Sequence, residues 1–98
     1  MGKVIWSPSA EADLNDIEEF VSLDSIRYAR RLVIRLFDRT QVLRKLPLMG
    51  RHVPELSEHE NVRELIESNY RILYEVRIEQ VFILRVLHSS RDFPKAFQ

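Results

Sequence analysis

Between Val62 and His88 apolar and polar side chains alternate with a period of two, and the alternation breaks at Ser68-Asn69 and at Glu79-Gln80. Such alternation belongs to strands that bury one face, and each break reads as a two-residue turn. Three antiparallel strands follow, with Ile66 opposite Arg71, Glu64 opposite Leu73, Arg71 opposite His88 and Leu73 opposite Val86. One face then carries Glu64, Ile66, Arg71, Leu73, Glu75, Leu84, Val86 and His88. The other carries Leu65, Ile72, Tyr74, Val76, Ile83 and Leu87. Side chains on a pleated strand point alternately up and down, so a slip of one residue would reverse these assignments. The second face is the more apolar and is expected to carry the helices, leaving Arg71 and His88 as neighbours on an exposed face.

Upstream the period becomes helical. Val4-Ile5-Trp6 is a short strand, and Ser7-Pro8 is a helix start, because Ser accepts an N-terminal amide bond and Pro suits the first helical position. Ala10, Leu14, Ile17 and Val21 then form one apolar stripe, with acidic residues in the first half where the helix dipole favours them. Ser22 to Ser25 interrupt the pattern, with Asp24 as a cap for the next helix. That helix is expected from about Ser25 to Leu46, through Ala29, Leu32, Val33, Leu36, Thr40 and Leu43, until Pro47 ends it. A short link between the helices makes an antiparallel hairpin. Residues 47–61 read as loop, and the chain from Asp92 onward as at most one helical turn. The expected fold is α+β in the order β-α-α-β-β-β. A helix hairpin packs on a small antiparallel sheet, with a short C-terminal turn or helix, in one domain over residues 1–98.

Composition narrows the class. A chain of 98 residues, 45% hydrophobic and 31% charged, suits one small globular domain. It has no cysteine for a disulfide or thiolate metal site, and no apolar run near the roughly 20 residues that span a bilayer. A cytoplasmic protein with no membrane partner is expected. Net charge is zero, yet residues 1–24 carry one cation and six anions (1 − 6 = −5) while residues 25–46 carry seven cations and one anion (7 − 1 = +6). Either the acidic helix neutralises the basic one beside it, or the arginine-rich helix offers a docking face to an acidic partner or polyanion.

The chain has no glycine-rich phosphate loop and no Gly-x-Ser-x-Gly elbow. His52, His59 and His88 lack the helical spacing of a zinc site, so neither metal nor cofactor is expected. What remains is Arg71, His88 and Arg91 at one end of the sheet, with Glu64 nearby and Glu55 on the preceding loop. Such a set could cleave RNA without a metal. Guanidinium groups bind phosphate oxygens bidentately, His serves as acid or base near neutral pH, and Glu55 could act as the base. Structural readings compete at each position. Arg71 could pair across strands with Glu64 or Glu75, His88 could be a packed or capping residue, Arg91-Asp92 a surface pair and Glu55 a solvated carboxylate. The same arginines could bind an acidic peptide.

The order of these pieces resembles the RelE/ParE superfamily of toxins from type II toxin–antitoxin systems. The matching segments are Trp6-Ser7-Pro8 with Ala12, Asp13, Leu14 and Ile17, then Gly50-Arg51-His52-Val53-Pro54-Glu55-Leu56 and Val62-Arg63-Glu64-Leu65. Asn69-Tyr70-Arg71-Ile72-Leu73-Tyr74, Val81 to His88 and Arg91-Asp92 complete the set. The resemblance implies growth arrest by the free toxin and a hetero-oligomer with a cognate antitoxin that wraps and neutralises it. We expect the antitoxin on the arginine-rich helix, at Arg31, Arg35 and Arg39, and on the sheet edge. RelE-like members cut messenger RNA on the ribosome, and the resemblance places their phosphate-binding arginines at Arg71 and Arg91; the YoeB-like branch uses a loop Glu, aligned with Glu55, and a C-terminal His, for which His88 is an imperfect stand-in. ParE-like members poison DNA gyrase. Here Val62 and Glu64 stand where RelE has lysines, Phe97 stands where its C-terminal Tyr would come, and net charge is zero. The expectation is therefore a ParE-like toxin acting on gyrase or another target. The alternatives are a ribosome-dependent endoribonuclease, or a decayed toxin fold acting only as a binding module.

Overall fold

The computed structural model describes residues 2–90 and 93–94. Its elements are β1 (Lys3–Trp6), α1 (Pro8–Ser22), α2 (Ile26–Thr40), β2 (Arg51–His52), β3 (Val62–Glu67), β4 (Tyr70–Arg77) and β5 (Gln80–His88). Short 3₁₀ turns occupy Gln41–Arg44 and Pro54–Leu56. The sheet runs β1-β5-β4-β3-β2. Two helices followed by a sheet make the expected α+β class, with two differences. β1 pairs with β5 in parallel, so the sheet is mixed. A two-residue strand, β2, also lies inside the segment read as loop and pairs antiparallel with β3.

Each helix start is set by a serine. Ser7 accepts from the Ala10 amide and Ser25 from the Tyr28 amide, so Ser25 rather than Asp24 caps α2. α2 ends at Thr40, earlier than its apolar phase suggests. The Thr40 hydroxyl donates to the Phe37 carbonyl and the chain tightens into the first 3₁₀ turn; a back-bonding threonine of this kind competes with the helical ladder.

The hairpin buries Ala10, Leu32 and Leu36 against Leu65, Ile72, Tyr74, Val81, Ile83 and Val86. Leu65, Ile72, Tyr74 and Ile83 face the helices as the alternation predicts. The opposite face is not open. Val53, Leu56, Val62, Leu73 and Phe93, with Leu84 and Leu87, form a second, smaller core there. The segment between α2 and β3 folds back over that face, which the sequence pattern had left exposed.

The β3–β4 register agrees with the alternation, including Ile66 opposite Arg71 and Glu64 opposite Leu73. Ser68 and Asn69 both take positive φ (50° and 67°), as a tight hairpin matched to strand twist requires. The β4–β5 register differs. The turn sits at Ile78-Glu79, with Arg77 opposite Gln80, and Leu84 is an extra residue: Tyr74 lies opposite Ile83 but Leu73 opposite Arg85. Moving the turn by one residue shifts the pairing by two and keeps every face. The bulge adds a single residue, and that exchanges the faces of everything after it. Arg71 consequently lies opposite Leu87, and His88 opposite Tyr70.

Candidate functional site

Arg71 emerges from the middle of the sheet on the side away from the helices and is only 8% exposed. Its Nε donates to Glu64 Oε1 at 2.6 Å, while its two terminal nitrogens donate to the Glu55 carboxylate at 2.8 and 2.7 Å. The guanidinium carbon lies 5.3 Å from the centre of the Phe93 ring. Glu64 is buried as well, and its second oxygen accepts from Arg51 at 2.7 Å. Two carboxylates and two guanidiniums thus form one chain of charge-assisted bonds, an arrangement that offsets the cost of taking those ions out of water.

The electrostatics follow from this geometry. Hydrogen bonds from Arg71 hold the Glu55 carboxyl down from 4.5 to about 2, against a smaller opposing effect of burial. Glu55 and then Glu64 keep Arg71 more firmly protonated than a free arginine. A carboxylate held this low is a poor base, and a guanidinium gripped from three sides is a poor phosphate ligand.

The sequence placed Arg71 and His88 side by side on one face. The structure separates them. Because of the bulge at Leu84, His88 turns to the helix side, where its ring meets Tyr70 edge-on at 5.2 Å. His88 Nδ1 accepts from the Ser90 amide at 3.1 Å, which leaves the ring proton of a neutral imidazole on Nε2. Arg71 and Glu55 do come together, but as an ion pair. Arg91 lies outside the described residues, as does Phe97.

Arg63 points its guanidinium at the Gly50 and Leu48 carbonyls, at 2.7 and 3.3 Å. The buried Tyr74 hydroxyl accepts from the Gly50 amide and donates to the Pro47 carbonyl. Together they pin the segment after α2 to the sheet. A side chain at position 50 would come within 2.5 Å of the Glu64 carbonyl, so this approach requires glycine. β2 then carries Arg51 and His52 to the sheet edge, with His52 Nε2 3.4 Å from Arg63. This exposed cationic edge was not singled out from the sequence; a strand of two residues is too short for alternation to reveal. Among the described residues no three His, Asp or Glu side chains converge as metal ligands.

Of the residues assigned to the antitoxin, Arg31 and Arg35 are exposed on α2 and Arg39 is half-buried. With Ile34, Asp38 and Glu67 they line a shallow groove at the free end of β3. Arg35 donates to Ser68 Oγ at 3.3 Å and Arg39 lies 3.5 Å from Glu67. The idea that the acidic helix neutralises the basic one fails. Among the described residues no α1 carboxylate forms a salt bridge with an α2 arginine, and Asp13 instead pairs with Arg85 of β5 at 2.7 Å.

A helix hairpin thus lies on a five-stranded sheet, its second helix rich in exposed arginines, and a salt-bridge network occupies the Arg71 face. Residues 4–93 match the family model of the ParE toxin of type II toxin–antitoxin systems, parDE, and the chain belongs to that family. It is 32% identical over 92 residues to Toxin RelE2 of Caulobacter vibrioides, covering 93% of this chain and 99% of that protein. Among solved structures it superposes with a TM-score of 0.75 on a chain of the chromosomal ParDE system from P. aeruginosa. The two are 25% identical, and the match covers 90% of this chain and 96% of that one. The chain is thus a toxin component of a type II system. Among the described residues no helix is long and apolar enough to cross a membrane.

Proposed function

We propose that this toxin is ParE-like: it arrests growth by binding a protein target, DNA gyrase or one not yet identified, and does not cut RNA. A cognate antitoxin neutralises it by covering α2 at Arg31, Arg35 and Arg39. The observation that carries the reading is the state of Arg71. Its guanidinium is buried and bonded to Glu55 and Glu64, with His88 on the opposite face. Metal-free RNA cleavage needs cations free to meet a phosphate and an acid or base beside them, and among the described residues Arg71 and Glu55 are instead taken up by each other. The exposed arginines of α2 suit an acidic protein segment.

The likeness to a protein named Toxin RelE2 favours a second reading, ribosome-dependent cleavage of messenger RNA. In that case phosphate contacts fall to Arg51 and Arg63 at the β2–β3 edge. Inducing the chain in a sensitive host, while following protein synthesis, messenger RNA ends and plasmid supercoiling, separates the readings. Growth arrest without new RNA ends is expected, and loss of supercoiling with an SOS response assigns gyrase. Codon-positioned RNA cuts would overturn the proposal, and so would unimpaired growth.

A further inference from the structure

We propose that the cleft between α1 and the far end of β5 binds a small organic cation, a guanidinium or ammonium group on a short apolar stem. Asp16, Ile17 and Phe20 of α1 line one side, and Tyr70, Arg85 and His88 of the sheet line the other. The cleft has a volume of about 380 Å³, within the roughly 300–1,000 Å³ of small-molecule sites.

Charge in the cleft leaves one acid over. Asp13 is fully engaged: it accepts from Arg85 at 2.7 and 3.0 Å and from the Val86 amide at 2.8 Å. Asp16 lies one helical turn further along α1 and, among the described residues, takes part in no hydrogen bond or ion pair. His88 Nδ1 accepts from the Ser90 amide, so the ring carries no charge in this geometry. With Asp13 and Arg85 cancelling, the lining keeps the negative charge of Asp16. Aromatic rings stand beside it. Phe20 follows Asp16 by four residues, which makes the two side chains neighbours on the helix surface. The Phe20 side is open, at 73% exposure, and Tyr70 faces the cleft from the sheet. A cation held by Asp16 can therefore lie against a ring face, and the two attractions add.

The sheet edge supplies a second handle. β1 ends at Trp6, opposite Ile83, so β5 beyond that point has a strand on one side only. The Val86 amide turns away from β4 to meet Asp13, and the Ser89 amide turns back to the Asn69 carbonyl. The amide and carbonyl of one strand residue point to the same side, so the Val86 carbonyl also faces away from β4. It is an acceptor for the N–H groups of a cation. An anion fits badly, because it meets Asp16 while Arg85 is already bound through two nitrogens. The acidic segment proposed for α2 is repelled for the same reason.

Titrating the purified full chain with butylguanidinium, followed by amide NMR, tests this. Saturable shifts are expected at Asp16, Phe20, Val86 and His88, with a Kd of about 1 mM for so small a ligand. Butylurea has the same shape without the charge and should bind about tenfold more weakly. Asp16→Asn should lower the affinity for butylguanidinium about fivefold, and Phe20→Ala about threefold. Both changes sit on an exposed helix surface, and an unchanged spectrum elsewhere confirms that each variant folds. Absence of saturable shifts overturns the proposal, as does equal binding of butylurea or full affinity in Asp16→Asn. A capped Val-Arg-Val tripeptide that binds more than tenfold tighter than butylguanidinium would also overturn it, by giving the cleft to an arginine of a protein segment.

Discussion

Arg71 is a residue whose chemistry is decided by its neighbours. A guanidinium on a strand reads as a phosphate ligand until its partners are seen; with Glu55 and Glu64 both bonded to it, it becomes the centre of a buried ion network. Removing one member of such a network leaves the rest uncompensated. Arg71→Ala is therefore expected to cost about 3 kcal/mol, the low end for a broken buried pair, because Glu64 keeps Arg51. Loss of toxicity in that variant would report unfolding as readily as lost chemistry. The network also predicts an acid limb. The folded Glu55 pKa of about 2 lies below its ordinary 4.5, so the stabilisation is fully present above pH 4.5 and is lost as pH falls toward 2. Urea titrations across that window should show wild type losing stability that Glu55→Gln lacks at neutral pH. The Glu55 side chain is 35% exposed, so the effect is expected to be modest. Equal acid sensitivity in the two proteins would dismiss the ion pair.

The bulge at Leu84 is a decision made between elements rather than within one. A bulge leaves backbone groups out of the ladder, and here α1 receives them. Ser7 Oγ donates to the Leu84 carbonyl at 3.0 Å, and Asp13 accepts from the Val86 amide at 2.8 Å while pairing with Arg85. Asp13 in turn raises the proton affinity of Arg85. One N-cap and one carboxylate, more than seventy positions away in the chain, thus settle which face His88 takes. Asp13→Ala should free the Val86 amide and cost about 2 kcal/mol, as for a hydrogen bond to a charged group. Amide exchange at Val86 should then quicken by about thirtyfold. Asp13→Asn, which keeps an acceptor for the amide, should recover part of the protection. Unchanged exchange in the alanine variant would show that the bulge holds without α1.

For the whole molecule, the important property is the contrast between its two surfaces. The sheet face away from the helices is closed by the segment between α2 and β3, and the helix hairpin remains the charged, open side. Antitoxin recognition should therefore be separable from toxicity exerted elsewhere. Arg31→Glu, Arg35→Glu and Arg39→Glu combined are expected to weaken antitoxin binding by about a hundredfold or more, since like charge then faces an acidic segment. Calorimetry of the reconstituted pair measures it. The same variant should still arrest growth, now without rescue by the antitoxin. Undiminished affinity would move the antitoxin to another surface.

Much of this was legible in residue order. The serine start of α1, the apolar stripes of the hairpin, the Ser68-Asn69 turn and the β3–β4 register follow from local propensities and periodicity, which act over a few residues and leave their mark in composition. The family resemblance spread over most of the chain is of the same kind. The short β2, the parallel pairing of β1, the bulge at Leu84 and the ion network around Arg71 are different. Each exists because a distant segment supplies hydrogen-bond partners or covers a face, and no spacing along the chain encodes that meeting. Sequence alone therefore determined which residue types were on hand. Tertiary packing decided that Arg71 would be sealed under Phe93 and Glu55, because burying its charge is tolerable only where two carboxylates arrive with it.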